Sequence, residues 1–239
     1  MGTFVSFLLD ETGSMESVKD DTIGGFNQYV DSLEKDIEGN CYFTLVKFDS
    51  SHQTMVCRGV EPAEVERLDN SNYRPGAMTP LIDAIFNIVK NTEKLLAEKK
   101  NPDKHNVVVV VQTDGMENLS RENTKEQLKE LITGKEKDGW AFTFIGAGID
   151  AFAEAGQYGF QKGSTMSYNL HASMDSFDAI AGNTLKYANT GARGSAAMSF
   201  TSKQRADSGE ASVIGDGGSV LKKKAKKTVG GTREGASNT

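Results

Sequence analysis

Residues 107–111 are five valines in succession. A strand without one polar position has no face to give to water, so it must run through the middle of a sheet covered on both sides. Such cover comes from helices in the connections between parallel strands, and the rest of the sequence supplies them in alternation. Residues 3–9 read as a first strand, after which Val18, Ile23, Phe26, Val30, Leu33 and Ile37 recur at helical spacing and mark one buried face. Residues 41–48 and 53–57, joined by Asp49-Ser50-Ser51, read as a hairpin. A helix is predicted from Pro80 to about Lys99, with proline in the first turn, where its missing N–H does no harm. Helix 122–137, strand 140–145, helix 150–158, strand 165–168 and helix 173–188 complete the series. The pattern predicts an α/β fold: a doubly wound, mostly parallel sheet flanked by helices, with one antiparallel edge strand from the hairpin. Gly24 and Gly25 lie inside the first helix, at a cost of up to about 2 kcal/mol against two alanines, which close packing on a neighbour would offset.

Three short segments, far apart in sequence, carry the chemistry. Asp10-Glu11-Thr12-Gly13-Ser14 follows the first strand, Thr79 opens a helix after Arg74-Pro75-Gly76, and Asp114-Gly115 follows the valine run. In an open parallel sheet the crevice beyond the carboxyl ends of the strands is where ligands bind, so the three segments can share one small volume. Asp10, Thr12, Ser14, Thr79 and Asp114 offer two carboxylates and three hydroxyls, a hard oxygen set that suits Mg²⁺, Mn²⁺ or Ca²⁺ rather than zinc or copper. Two carboxylates crowded at one sheet edge repel each other, so without a cation the site is expected to be strained or partly protonated. A plainer reading has Asp10, Thr12 and Ser14 capping a helix, a position that favours Asp, Ser and Thr. Glu11 and Glu117 flank the segments and read as exposed, solvated loop acids, with tuning of the site's charge or contact with a partner as the alternative; Asp83 reads equally as a hydrogen-bonding partner within the loop cluster and as a first-turn acid favoured by the helix dipole.

The pattern D-x-T-x-S, a later threonine opening a helix and a later T-D-G resemble the metal-ion-dependent adhesion site of von Willebrand factor A domains. The likeness continues through Thr22 to Asn27 (TIGGFN), Thr79 to Ile85 (TPLIDAI), Thr113 to Asn118 (TDGMEN) and Phe144 to Ala151 (FIGAGIDA), and is similar to small, single-domain bacterial and phage-borne A domains. Thr12 stands where that family more often has serine, which keeps the hydroxyl. The resemblance implies a Rossmann-like fold, a Mg²⁺ (or Mn²⁺ or Ca²⁺) held by Asp10, Thr12, Ser14, Thr79 and Asp114, and a non-catalytic module. In such a module a partner protein completes the metal's coordination with an Asp or Glu carboxylate. The alternative is a Mg²⁺-dependent phosphoryl hydrolase built on Asp10. Aspartyl phosphatases use D-x-D after the first strand, and Thr12 removes the second carboxylate expected to act as acid and base. Gly146-Ala147-Gly148-Ile149-Asp150-Ala151 fits the dinucleotide fingerprint, yet positions 168–170 offer no acid for a ribose, and the A-domain resemblance accounts for the segment as a turn.

The 239 residues suffice for one large α/β domain. Residues 1–200 carry 19 basic against 29 acidic side chains, whereas residues 201–239 carry 8 against 4. From 206 onward Gly, Ser, Ala, Thr and Lys dominate, and only Val213, Ile214, Val220, Leu221 and Val229 are large and apolar. The domain is therefore expected to span residues 1–205, followed by a disordered basic tail at 206–239. Lys222-Lys223-Lys224-Ala225-Lys226-Lys227 within it suits weak contact with nucleic acid or an acidic surface. Cys41 and Cys57 read as free thiols, although the hairpin could set them face to face. His52, His105 and His171 are scattered, with no nucleophile at a spacing that pairs with them. No run approaches the roughly 20 apolar residues of a membrane span, and residues 1–9 lack the basic flank of a signal peptide, so a cytoplasmic location is expected.

Overall fold

The computed structural model describes residues 2–51 and 53–214, so His52 and the lysine run at 222–227 lie outside the described residues. Six strands among the described residues form one sheet: β1 (Gly2–Asp10), β2 (Asn40–Phe48), β3 (Gln53–Val60), β4 (Asn106–Thr113), β5 (Ala141–Ala147) and β6 (Thr165–Tyr168). Their order is β3-β2-β1-β4-β5-β6. Every pairing is parallel except β2 with β3, which is the antiparallel edge that the hairpin predicts. The valine strand is β4, central and buried at every position.

Alternation across the pleat gives each strand two apolar faces, and a helical layer covers each. On one side Val5, Phe7, Val108 and Val110 meet Phe26, Tyr29 and Leu33 of α1 (Lys19–Asp36) and Phe177, Ile180 and Tyr187 of α5 (Ser173–Thr190). On the other, Phe4, Leu8, Val109 and Val111 meet α2 (Leu81–Ala97), α3 (Lys125–Lys137) and α4 (Ala151–Tyr158) through Ile85, Ile88, Ile132 and Tyr158. None of the helices among the described residues is long and apolar enough to cross a membrane. The glycine pair of α1 is explained at one position: a Cβ on Gly25 would stand 2.2 Å from Phe177 Cδ2, so α1 and α5 meet where only glycine fits. Gly24 has no such constraint, its nearest neighbour being Met174 Sδ at 3.7 Å.

Local differences from the sequence reading have local causes. The third helix starts at Lys125 rather than 122, where Thr124 and Gln127 form a capping box. The β2–β3 ladder carries two register shifts that place Cys57 opposite Leu45, so the two thiols do not face each other and both are free. The largest departure is at the end of the domain. The boundary expected at residue 206 falls inside a structured unit, because α6 (Ser202–Asp207) and α7 (Glu210–Ile214) pack on β6. Val213 and Ile214 are only half-buried, and polar contacts add to their hold. Arg205 Nη1 pairs with Glu210 Oε2 (2.8 Å) and donates to the Thr165 carbonyl (2.9 Å), while Glu210 Oε2 accepts the Ser167 N–H (3.2 Å). One ion pair thus occupies backbone groups along the outer edge of β6, which would otherwise be free to pair with another chain.

Two predictions follow from this packing. Gly25→Ala should destabilise the fold, because overpacking of roughly 1–3 kcal/mol outweighs a helix-propensity gain of about 1 kcal/mol. Gly24→Ala should stabilise it by up to about 1 kcal/mol, so thermal melts should move in opposite directions for adjacent residues. Glu210→Ala leaves the Ser167 N–H without its acceptor and Arg205 without its carboxylate. It should cost about 1–3 kcal/mol in denaturant titration and raise concentration-dependent association in sedimentation.

Candidate metal centre

The strand order reverses between β1 and β4, since β2 and β3 extend the sheet to one side and β5 and β6 to the other. The carboxyl ends of β1 and β4 therefore flank a switch-point crevice. β1 ends at Asp10 and β4 at Thr113, so the loops beginning at Glu11 and Asp114 leave the sheet side by side.

Asp10 has no exposed surface, and both carboxylate oxygens are engaged: Oδ1 accepts the Thr12 N–H (2.8 Å) and Oδ2 accepts the Thr113 hydroxyl (2.5 Å). Ser14 Oγ donates to Asp114 Oδ1 (2.6 Å), and Thr12 Oγ1 lies 3.3 Å from Ser14 Oγ. Thr79 enters from the third segment. A Cβ built on Gly115 would sit 3.4 Å from Thr79 Oγ1 and 3.5 Å from Ser14 Oγ, so two hydroxyls from distant segments converge on one point, and glycine leaves that point clear. Asp10, Thr12 and Thr79 form the buried floor, while Ser14 is exposed and Asp114 half-buried at the mouth. Although Thr12 is the N-cap of the two-turn 3-10 helix Gly13–Val18, its side chain makes no capping bond. The capping explanation of this segment therefore fails, and all five predicted residues are gathered at one place.

Residues without a predicted role hold the loops in register. Tyr73 Oη donates to the Asp10 carbonyl (2.6 Å), the Gly76 N–H to the Glu11 carbonyl (2.9 Å) and the Gly13 N–H to the Ala77 carbonyl (3.2 Å). Ala77 adopts φ of +61°, a left-handed conformation that costs about 1 kcal/mol outside glycine, to make that last bond. Asn118 clamps Thr79 twice, its Oδ1 accepting the Thr79 N–H (2.9 Å) and its own N–H donating to the Thr79 carbonyl (3.1 Å). Thr113 and Asn118 both lie within the T-D-G-M-E-N motif, which was the available signal for them.

The acids read as solvated loop residues are structural anchors instead. Glu11 is buried, paired with Lys47 Nζ (2.9 Å), and accepts the Arg74 N–H (2.7 Å). Glu117 accepts from the Ile82, Leu119 and Ser120 N–H groups and the Ser120 hydroxyl at 2.6–2.8 Å, which ties the Asp114 loop to the start of α2. Asp83 accepts the Arg121, Glu122 and Asn123 N–H groups; burial works to raise its carboxyl, but these bonds prevail and hold it below the usual range. At the β5–α4 turn, the Phe152 and Ala153 N–H groups are taken by the Asp150 carboxylate. A Cβ on Gly146 would stand 2.8 Å from Ala151 Cβ and Gly148 holds a left-handed φ of +64°, so of the two fingerprint glycines one serves close packing and the other the turn.

Burial pushes the Asp10 carboxyl up to about 6, against the hydrogen bonds from Thr113 and Thr12 that lower it; repulsion from Asp114 adds the smallest contribution. Mutual repulsion, the cause the sequence suggested, is therefore secondary to desolvation.

The fold is that of a von Willebrand factor A domain. No protein-family model matches the sequence, nor does any curated protein. Among solved structures, the A domain of the type V pilus tip protein Mfa5 of Porphyromonas gingivalis aligns with a TM-score of 0.57 at 11% identity, covering 80% of this chain and 96% of that one. Manganese-loaded TRAP of Plasmodium vivax aligns at 0.51 and 17%, covering 72% and 70%. Proximal thread matrix protein 1 of the mussel byssus, with a zinc-occupied adhesion motif, aligns at 0.53 and 15%, covering 77% and 45%. The chain spans about half or less of the length of the first mussel and pilus-adhesin structures it matches.

The elevated Asp10 value fixes a pH dependence. Asp10 contributes to the metal-free fold below about pH 4 and loses that contribution as pH rises through about 6, a change on the order of 3 kcal/mol. Asparagine at this position removes the buried charge. Its amide can donate to Thr113 Oγ1, whose proton can then turn to the Gly115 carbonyl, 3.2 Å away. In chelator at pH 7.5, Asp10→Asn should therefore melt higher than the parent chain, and the fall in parent stability between pH 4 and 6 should flatten in the variant.

Proposed function

We propose that this chain is a non-catalytic binding module that holds a divalent cation, Mg²⁺ above all, through Asp10, Thr12, Ser14, Thr79 and Asp114, and presents it to an acidic residue of a partner protein. One observation carries the reading: the hydroxyls of Ser14 and Thr79, 65 positions apart in sequence, meet within 3.5 Å of one point over Gly115, beside two carboxylates. The donor set fits a hard cation, since every candidate ligand atom is oxygen. With the Ser14 proton directed at Asp114, the lone pairs of Ser14 Oγ remain available as donors.

The coordination count supports the partner chemistry. Two carboxylates and three hydroxyls supply five oxygens, which leaves one position of a six-coordinate cation open for a carboxylate from outside. The Asp10 carboxylate is buried with both oxygens hydrogen-bonded, which suits a fixed countercharge and obstructs nucleophilic attack. This disfavours the hydrolase alternative. Two fold neighbours hold a metal, zinc in one and manganese in the other, which supports a divalent cation in this chain.

Mg²⁺ at about 100 times its dissociation constant should stabilise the fold by roughly 2.7 kcal/mol, a rise of about 5–10 °C in melting temperature for a chain of this length. Thr79→Ala and Asp114→Ala should each remove most of that rise while preserving the circular-dichroism spectrum. Equal melting in Mg²⁺ and in chelator for the parent chain would refute the assignment.

A further inference from the structure

Among the described residues four large hydrophobic side chains are exposed, and all four are methionines: Met55, Met78, Met116 and Met174. Two of them flank the candidate metal centre, Met78 directly before Thr79 and Met116 directly after Asp114-Gly115. Met78 is 47% exposed and Met116 67%, yet neither stands on a loose segment. The Met78 N–H donates to Ser50 Oγ (3.0 Å), and its neighbours are fixed by the Ala77–Gly13 and Thr79–Asn118 bonds. Met116 is followed by Glu117, which is held by four donors, and preceded by Gly115, whose N–H is bound to Thr113 Oγ1 (3.0 Å). The backbone is therefore pinned while two apolar, polarisable and adaptable side chains are offered to solvent at the mouth of the site.

The charge around the mouth is uneven. Beyond Ser14, the acids Glu16, Asp20 and Asp21 and the single base Lys19 line a polar cavity of about 540 Å³ at the start of α1, so acids outnumber bases there. An incoming run of acidic residues meets like charge there. A lone carboxylate between apolar neighbours meets the cation and the two methionines instead.

We propose that this surface selects a single Asp or Glu carboxylate set between apolar side chains, with Met78 and Met116 covering the flanking residues and the acidic α1 edge excluding acidic tracts. The inference rests on the reading of the site as a metal centre that takes a partner carboxylate. It adds which carboxylates are taken, and it assigns the choice to two residues that bind no metal.

Three end-blocked pentapeptides test it: Gly-Leu-Asp-Phe-Gly, Gly-Gly-Asp-Gly-Gly and Gly-Asp-Asp-Asp-Gly, each titrated into protein carrying ¹³C-methyl methionine, in Mg²⁺ and in chelator. In Mg²⁺ the first should bind about fivefold or more tighter than the second, as expected for partial burial of two apolar side chains, and the third no tighter than the second. The Met78 and Met116 methyl signals should shift, and that of the fully buried Met198 should stay in place. The double variant Met78→Ser, Met116→Ser should keep the Mg²⁺-dependent rise in melting temperature and the affinity for the glycine-flanked peptide, and lose the preference. Equal affinities for the first two peptides, a preference that survives in the double variant, tighter binding of the triple-acid peptide, or no peptide binding despite a Mg²⁺ response would overturn this inference and leave the metal assignment standing. Absence of any Mg²⁺ response in the parent chain would overturn both.

Discussion

A carboxylate without exposed surface lies at the carboxyl end of β1, and its charge has to be met from inside the protein. The Thr12 N–H and the Thr113 hydroxyl meet it, and the second of these comes from a residue 103 positions away on the neighbouring strand. Hydrogen bonding of Asp10 therefore requires β1 and β4 to be paired in register, which in turn requires the valine strand to be covered on both faces. The Asp10 backbone carbonyl is held by Tyr73, so the loop that delivers Thr79 is tied to the same residue. A desolvated anion is costly unless its surroundings supply donors or a cation, and the top of this sheet is organised around that need.

The fold was legible because its strongest signals are local. Five consecutive valines admit one kind of environment, and the spacing of Phe26, Val30 and Leu33 marks a helix face whatever lies opposite. The gathering of Asp10, Thr12, Ser14, Thr79 and Asp114 was legible for a related reason: they sit in or beside loops at strand ends or a helix start, where the periodic pattern stops and polar side chains begin. Tyr73 was not, since it acquires its role from a partner 63 positions distant that no spacing rule connects; Thr113 and Asn118 were marked only by their motif, which does not name partners 103 and 39 positions away. Glu11 and Glu117 were misread for the opposite reason. Residue type suggests solvent, but backbone N–H groups at loop and helix starts drew both carboxylates inward.

The end of the domain was misplaced because composition measures apolar content, and α6 and α7 draw on polar contacts as well. Arg205 and Glu210 pair with each other and with backbone groups of β6, which gives α6 and α7 an anchor without a large apolar side chain. An ion pair of this kind is fixed by geometry as much as by charge, because each group also answers a backbone partner that would otherwise be left unpaired.

That anchor also bears on the order in which the molecule is completed. A chain made from its amino end exposes β1 to β6 before residue 210 is added, and domains begin to fold as they emerge. The guarding pair lies 37 to 42 positions beyond the end of β6, so the outer edge of β6 stays uncovered until α6 and α7 have docked. During that interval the nascent sheet is open on the side where two copies made from one message would meet, so the last few turns of helix protect the protein at birth as well as afterwards.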